Sequence, residues 1–386
     1  MKIKTFFDKI RPQFEKDGKL HALWSIYDGF ESFLIVPNTT SKNGVNIHDA
    51  IDSKRIMSIV VLALIPALLF GMYNVGYQNY LAAGELQHAN FWAIWSYGFL
   101  MVLPKVIVSY AVGLGVEFAW AQWKHEEIQE GYLVTGMLMP LIVPVNTPLW
   151  MIAIAIVFAV VFAKEIFGGT GMNIFNVALV ARAFLFFSYP SMMSGDTVWV
   201  STDKVFGLGN TLPDEFTMAT PLGELGQNML PDSSMWDMIV GLIPGSIGET
   251  SIVAIAIGAM ILLLTGIASW KTMLSVFLGG GIVAFFFQLT GETPIAWYEH
   301  FILGGFAFGA VFMATDPVTS ARTETGKWIY GFLIGIMAVV IRVKNPGYPE
   351  GMMLSILMMN MFAPLIDYFV VQRNISKRAK RSANKH

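Results

Sequence analysis

Ten apolar runs, at about 56–75, 98–120, 131–145, 149–163, 174–190, 251–268, 272–290, 301–315, 328–343 and 352–371, punctuate this chain of 386 residues. Each is long enough, or nearly so, to cross ~30 Å of hydrocarbon, although several are short. Only 13% of the residues are charged and 55% are hydrophobic, whereas a soluble domain carries roughly 25% charged residues. The mean hydropathy of +0.57 points the same way. Backbone N–H and C=O groups in lipid must be paired within their own segment, so the expected fold class is an all-α polytopic membrane protein with about ten transmembrane helices.

Basic residues set the orientation, because Lys and Arg near span ends stay on the cytoplasmic side. Nine of the 25 lie before residue 56 and six after residue 372. Lys124, Lys164, Lys271, Arg322 and Lys327 occupy alternate loops, and only Lys204, Arg342 and Lys344 fall on the other side. Ten crossings of a bacterial inner membrane with both termini cytoplasmic satisfy this bias. No cleavable signal precedes the first span, which is therefore expected to be retained. Tryptophans mark the same boundaries: Trp92, Trp150 and Trp297 at outer ends, Trp120, Trp123, Trp270 and Trp328 at inner ends.

Three regions follow: a cytoplasmic segment 1–55, a transmembrane domain 56–372, and a basic tail 373–386. In the first, Leu20, Leu23, Trp24, Tyr27, Phe30 and Leu34 form one helical stripe suited to a membrane surface or a neighbouring protein of a complex. The loop 191–250 holds eight carboxylates against Lys204 alone and is expected in the periplasm. Spans one to five start inside and spans six to ten outside, which predicts two inverted five-helix halves, an arrangement that also builds urea and ammonium channels. Interrupted spans occupy matching places: Gly131 to Gly136 runs into Pro140 and Pro144, and Gly304 to Gly309 ends at Asp316-Pro317. Such broken spans often line a permeation path.

The chain has no cysteine, which excludes disulfides, thiolate-bound zinc and an iron–sulfur cluster of its own. Its six histidines are scattered without ligand spacing, so haem or copper held by this chain alone is not expected. No Walker A sequence, complete G-x-G-x-x-G or nucleophile elbow is present. Neither a protein metal site nor nucleic acid is expected. Any redox centre is organic or borrowed.

The acidic loop contains Asp214-Glu215-Phe216-Thr217-Met218-Ala219-Thr220. An exposed hydroxyl beside a small residue is what a phosphoryl-transfer modification requires; an ordinary Ser/Thr turn is the alternative. This Asp-x-x-Thr-x-Ala-Thr stretch resembles the flavin-attachment motif of the B-type membrane component of the sodium-translocating NADH:quinone oxidoreductases, and of the related Rnf complexes. The likeness extends through residues 163–173, Arg182 to Phe187, Ile243 to Glu249, Gly304 to Pro317 and Asn345 to Leu354. The basic N-terminal segment favours the B-type component over the shorter D-type component of Rnf. Two departures stand out: Met218 where the family has a small residue, and Val177 where proline is expected after Asn176.

The resemblance implies a component that is not catalytic alone. It implies covalent FMN on Thr220, noncovalent riboflavin, electron transfer to quinone, outward Na⁺ movement, and assembly in membrane lipid with the other five components of the complex, those of the A, C, D, E and F types. Asp214, Thr217 and Ala219 shape the attachment motif. Arg182, within a span, is suited to neutralise a flavin or quinone oxygen, or else to pair with Glu165. Charged residues within spans are costly and mark ion paths, so Asp316, Glu117, Glu165 and Asp367 are candidates for sodium, with Asp316 first. A helix-terminal turn is the alternative for Asp316. Phe308 and Phe312 resemble an aromatic constriction, with plain helix packing as the alternative. Asp28 matches a position linked to sodium and Gly113 one linked to quinone. A channel for a small neutral solute remains the reading from another class.

Overall fold

In the computed structural model the described residues are 2–14, 24, 27, 31, 53–124, 131–213, 216–227, 229–345 and 347–383. Asp28, Asp214 and most of the stripe at 20–34 lie outside them. Among the described residues every element is helical, and the one β-bridge, between Val205 and Leu208, is isolated. Helix α1 spans Lys2–Phe14, where Phe14 stacks on Tyr27 with ring centroids 4.9 Å apart.

The apolar elements are α2 (Ser53–Ala82), α3 (Phe91–Lys124), α4 (Tyr132–Leu141), α5 (Leu149–Ala159) and α6 (Val177–Ser188). After the short loop helices α7 (Pro221–Gly226) and α8 (Met235–Val240) come α9 (Ile252–Leu264), α10 (Trp270–Leu289), α11 (Phe306–Phe308), α12 (Glu324–Lys344) and α13 (Met352–Ala383). Helix α5 runs on through a π segment, Val160–Lys164, and α11 through another, Gly309–Met313. Six helical segments are long and apolar enough to cross a membrane: Lys54–Ala82, Phe91–Lys124, Leu149–Phe167, Trp270–Leu289, Glu324–Lys344 and Met352–Ser382. Tyr132–Leu141, Val177–Ser188 and Ile252–Leu264 are apolar but shorter. Helix α13 continues to Ala383, through most of the basic tail.

Lipid-facing surface is visible as stripes rather than as composition. Val253, Ile257, Met260 and Leu264 on α9 are exposed at helical spacing, as are Leu274, Leu278, Ile282, Phe285 and Leu289 on α10. In water such stripes would be an aggregation surface; a bilayer solvates them. The opposite faces bury one contiguous core that includes Leu141, Ile152, Phe306, Phe308, Tyr330 and Ile356.

Close helix pairs are built on small residues, which let backbones approach in lipid. A Cβ on Gly279 of α10 would fall 2.1 Å from the Phe332 carbonyl oxygen of α12, and one on Gly335 would fall 2.1 Å from that of Val276. Pairings recur along the chain. Helix α3 packs on α5 as α10 packs on α12; α5 packs on α6 as α12 packs on α13; and α2 meets α4 as α9 meets the α11 segment. Helices α2 and α9 also pack on each other, joining the two sets.

Candidate functional site: two chambers joined by a broken helix

The segment from Gly305 to Asp316 positions the chemistry. Gly304 takes φ +61°, and after it the chain makes one short turn of α-helix before widening into the π segment. The Ala314 N–H donates to the Gly309 carbonyl at 2.8 Å, five residues back. Such π turns leave backbone groups displaced and recur at functional sites. A chamber opens at each end of this segment.

The first chamber lies beside the 191–250 loop and encloses about 900 Å³ of empty space, including its mouth. Phe186, Trp199 and Tyr348 give it aromatic walls, and Arg182, Glu249 and Glu350 form its charged floor. From α6, Arg182 donates one Nη1 bond to Glu249 Oε1 at 2.7 Å and contacts Glu350 Oε1 at 2.7 Å. Its Nη2 donates to Glu249 Oε2 and Ser246 Oγ, each at 3.4 Å. The Arg182 and Glu249 side chains are buried. The Ser246–Gly248 turn that presents Glu249 is itself pinned, because the Gly248 N–H donates to the Leu141 carbonyl at 2.7 Å. Gly305 has no room for a Cβ, which would sit 2.8 Å from Glu249 Oε1 and 2.9 Å from Glu350 Oε1. Both carboxylates therefore meet the start of the broken helix.

Thr220 lies in the wall of this chamber. It is the N-cap of α7, its Oγ1 accepting the Gly223 N–H at 3.0 Å, with Pro221 at the first helical position. Thr217 is exposed and Ala219 partly so. Met218 is fixed through its backbone, donating to the Asp196 carbonyl at 2.8 Å. One turn beyond Thr220, burial lifts the Glu224 carboxyl above the usual range; Asp232 and Asp196 add repulsion, while the Asp232 N–H bonded to it opposes.

The second chamber, about 740 Å³, opens on the side of the α2 start and is lined by Thr135, Lys164, Asn176, Phe312, Thr315 and Asp316 among others. Asp316 accepts from the Val318 N–H at 3.0 Å, Thr319 Oγ1 at 3.0 Å and Asn176 Nδ2 at 3.4 Å. All three donors are neutral. Asn176 also caps α6, accepting the Leu179 N–H at 3.2 Å, so Val177 stands at the first helical position, where proline would serve equally. Between the chambers Phe308 and Phe312 are buried with ring centroids 4.9 Å apart.

The remaining expected residues divide. On α3, Glu117 is ion-paired with Lys164 Nζ, and Glu165 Oε1 lies 3.9 Å from the same nitrogen. Glu165 is thus the neighbour of Lys164 and not of Arg182: the sequence-based alternative pairing for Arg182 is corrected, because α6 turns that guanidinium toward the opposite chamber. Asp367 on α13 accepts the Arg322 and Thr323 N–H groups at 2.7 and 3.0 Å and Thr323 Oγ1 at 2.6 Å. It holds the turn between Asp316 and α12. Gly113 lies under the Tyr132 ring, whose hydroxyl donates to the Ser109 carbonyl at 2.9 Å. The contact is reciprocated by Tyr110 over Gly136, with Tyr110 donating to the Leu133 carbonyl at 2.7 Å.

Sequence reasoning did not single out Glu350, Asn176, Lys164 or Thr319 as site residues. Their signal was weak: an Asn before an apolar run, a Lys-Glu pair at a span end, and the Asn-Pro-Gly-Tyr-Pro-Glu turn.

Among known proteins, the chain is similar to the B-type component of the Na(+)-translocating NADH-quinone reductase in several bacteria. It is 44% identical to the one from Chromohalobacter salexigens over 411 aligned positions, covering 99% of this chain and 97% of that one. It is 43% identical to the protein of the same name from Stutzerimonas stutzeri, covering 99% and 100%. For Pseudomonas aeruginosa strain LESB58 the identity is 41% with the same coverage. The profile of the NQR2, RnfD, RnfE family matches residues 40–376. The chain is therefore a member of the NQR2, RnfD, RnfE family.

Proposed function

We propose that this chain is the B-type membrane component of a sodium-translocating NADH:quinone reductase, carrying FMN covalently on Thr220 and passing electrons to quinone as Na⁺ moves outward. The observation that carries this reading is the place of Thr220 in the wall of a chamber that the Gly305 to Asp316 segment links to a second one. In this reading the 191–250 loop is periplasmic, the termini are cytoplasmic, and the recurrent helix pairings are two inverted five-helix halves.

The loop-side chamber fits an attached flavin. Its aromatic walls suit a flat ring, and Arg182 with Glu249 and Glu350 gives its floor both hydrogen-bond donors and acceptors. The Thr220 oxygen accepts a hydrogen bond, so its own proton is available for exchange with a phosphoryl group. When bound, the flavin supplies reversible electron carriage; this chain's residues supply the tether, the stacking walls and the polar floor. Noncovalent riboflavin is proposed for the second chamber, where Thr135 and Thr170 offer hydroxyl partners.

Asp316 is the best sodium ligand on this chain. Its carboxylate is half-buried and meets neutral donors only, so a cation in the chamber would balance it. It also stands at the end of the broken helix, where carbonyl oxygens gather. Phe308 and Phe312 separate this position from the loop-side chamber. The driving force suffices: two electrons falling through roughly 300 mV release ~14 kcal/mol, while one Na⁺ climbing ~150 mV costs ~3.5 kcal/mol.

Mass spectrometry and in-gel ultraviolet fluorescence of the natively expressed protein test the tether. Thr220→Asn keeps an acceptor for the Gly223 N–H but has no hydroxyl to esterify; it is expected to give a dark band of normal abundance. A fluorescent Thr220→Asn band, or an unlabelled native one, overturns the assignment. The second reading, the D-type component of an Rnf complex, shares the family and the tether. Na⁺-stimulated, quinone-dependent NADH oxidation by membranes holding the whole complex is expected here, and its absence would favour Rnf.

A further inference from the structure

Besides Arg182, three lysine or arginine side chains are buried near the broken segments, and they are held differently. Lys105 donates to the Thr147 carbonyl at 2.6 Å. Arg342 donates to the carbonyls of His300, Leu303 and Pro349 at 2.5, 3.1 and 3.2 Å. Both neutralise loop carbonyls left unpaired where helices break, and that role is structural. Lys164 is bonded instead to a carboxylate, that of Glu117, and its side chain lines the second chamber beside Asn176 and Asp316.

The backbone puts it there. A lysine at the end of a span ordinarily extends its ammonium to water. Lys164 closes the π segment with φ −123° and ψ −64°, outside the helical region. Gly168, Gly169 and Gly171 follow with positive φ, so the chain turns sharply back. The ammonium is thereby directed inward; its side chain and that of Glu117 are each only 5% exposed. An ammonium and a sodium ion are both hard monovalent cations held by oxygen atoms, so the two can compete for one carboxylate.

We propose that the Lys164 ammonium is a tethered competitor for the entering sodium ion: it occupies Glu117 while the second chamber lacks the ion and yields that carboxylate when the ion arrives. This rests on the reading that sodium enters through that chamber. Lys164 is then a positioning residue that sets the apparent affinity for Na⁺ and binds no ion itself. If the carboxylate is free of the lysine about a tenth of the time, the measured affinity is about tenfold weaker than the intrinsic one.

The experiment is the Na⁺ dependence of quinone reduction by the intact complex. Lys164→Met is expected to lower the half-saturating Na⁺ concentration about tenfold. A complex that assembles normally but has an unchanged or raised half-saturation would show the ion pair to be a brace between α3 and α5, and would overturn the proposal. A charge-balanced comparison keeps the question decidable if Lys164→Met does not assemble. In Glu117→Gln the carboxylate for which Lys164 competes is gone, so Glu117→Gln with Lys164→Met should reach half-saturation at the same Na⁺ as Glu117→Gln alone. A lower value for the pair would show the ammonium to act by repulsion without occupying Glu117, and would overturn the idea. A wild-type complex with no Na⁺ dependence would instead remove the sodium reading itself, and this inference with it.

Discussion

At the scale of single residues, buried charge decides which side chains have freedom to act. Arg182 is engaged by Glu249 and Glu350, so its single positive charge is already met by two carboxylates. Removing it strands both acids in a dry site, which costs about 3–5 kcal/mol for a broken buried pair. Arg182→Met is accordingly expected to lower the thermal stability of the solubilised complex sharply, with partial recovery when Glu249→Gln is added. Differential scanning of the purified complexes reads both. The identity of Arg182 as a buried span residue was legible in the sequence; its partners were not, because they lie 67 and 168 positions away in loops that only folding brings together. Asp316 could be read from its place before Pro317, whereas the neutral set around it needed Asn176 from the other half of the chain.

At the scale of elements, the interrupted helices were the most readable feature. Prolines at 140 and 144 and the glycines from 304 to 309 each deny an ordinary helix its full length, and α4 and the α11 segment are short as expected. Their neighbours were not readable. Gly113 faces Tyr132, and a Cβ there would lie 1.8 Å from the ring. Gly113→Ala is expected to push α4 off α3 at about 1–3 kcal/mol, lowering the melting temperature, and Gly113→Ala with Tyr132→Leu should recover much of the loss. An effect of Gly113 on quinone reduction would then be transmitted by Tyr132, since the glycine has no side chain to contact a ligand. The departure at Val177 has a simple element-level account: the first residue of a helix has no N–H partner to lose, so valine and proline are both accepted.

At the scale of the whole molecule, the two chambers lie at opposite ends of the broken helix. The absence of cysteine makes its orientation straightforward to test. Thr217 and Ser382 are both exposed, so single Thr217→Cys and Ser382→Cys chains each carry one thiol. In intact spheroplasts an impermeant maleimide is expected to label the first and to reach the second only after permeabilisation. The reverse pattern would overturn the periplasmic placement of the 191–250 loop and the direction of transport with it.

The sequence by itself determined the solvent of this protein, the rough limits of its long apolar helices, and the loop that bears Thr220, because hydrophobic length, basic residues and glycine or proline act locally and need no partner to be read. Tertiary structure alone decided that Thr220 shares a chamber with Arg182, that Lys164 turns inward to Glu117, and that Asp316 is met by Asn176. Those relations join residues far apart in the chain, and buried polar groups are satisfied by whichever partner packing delivers.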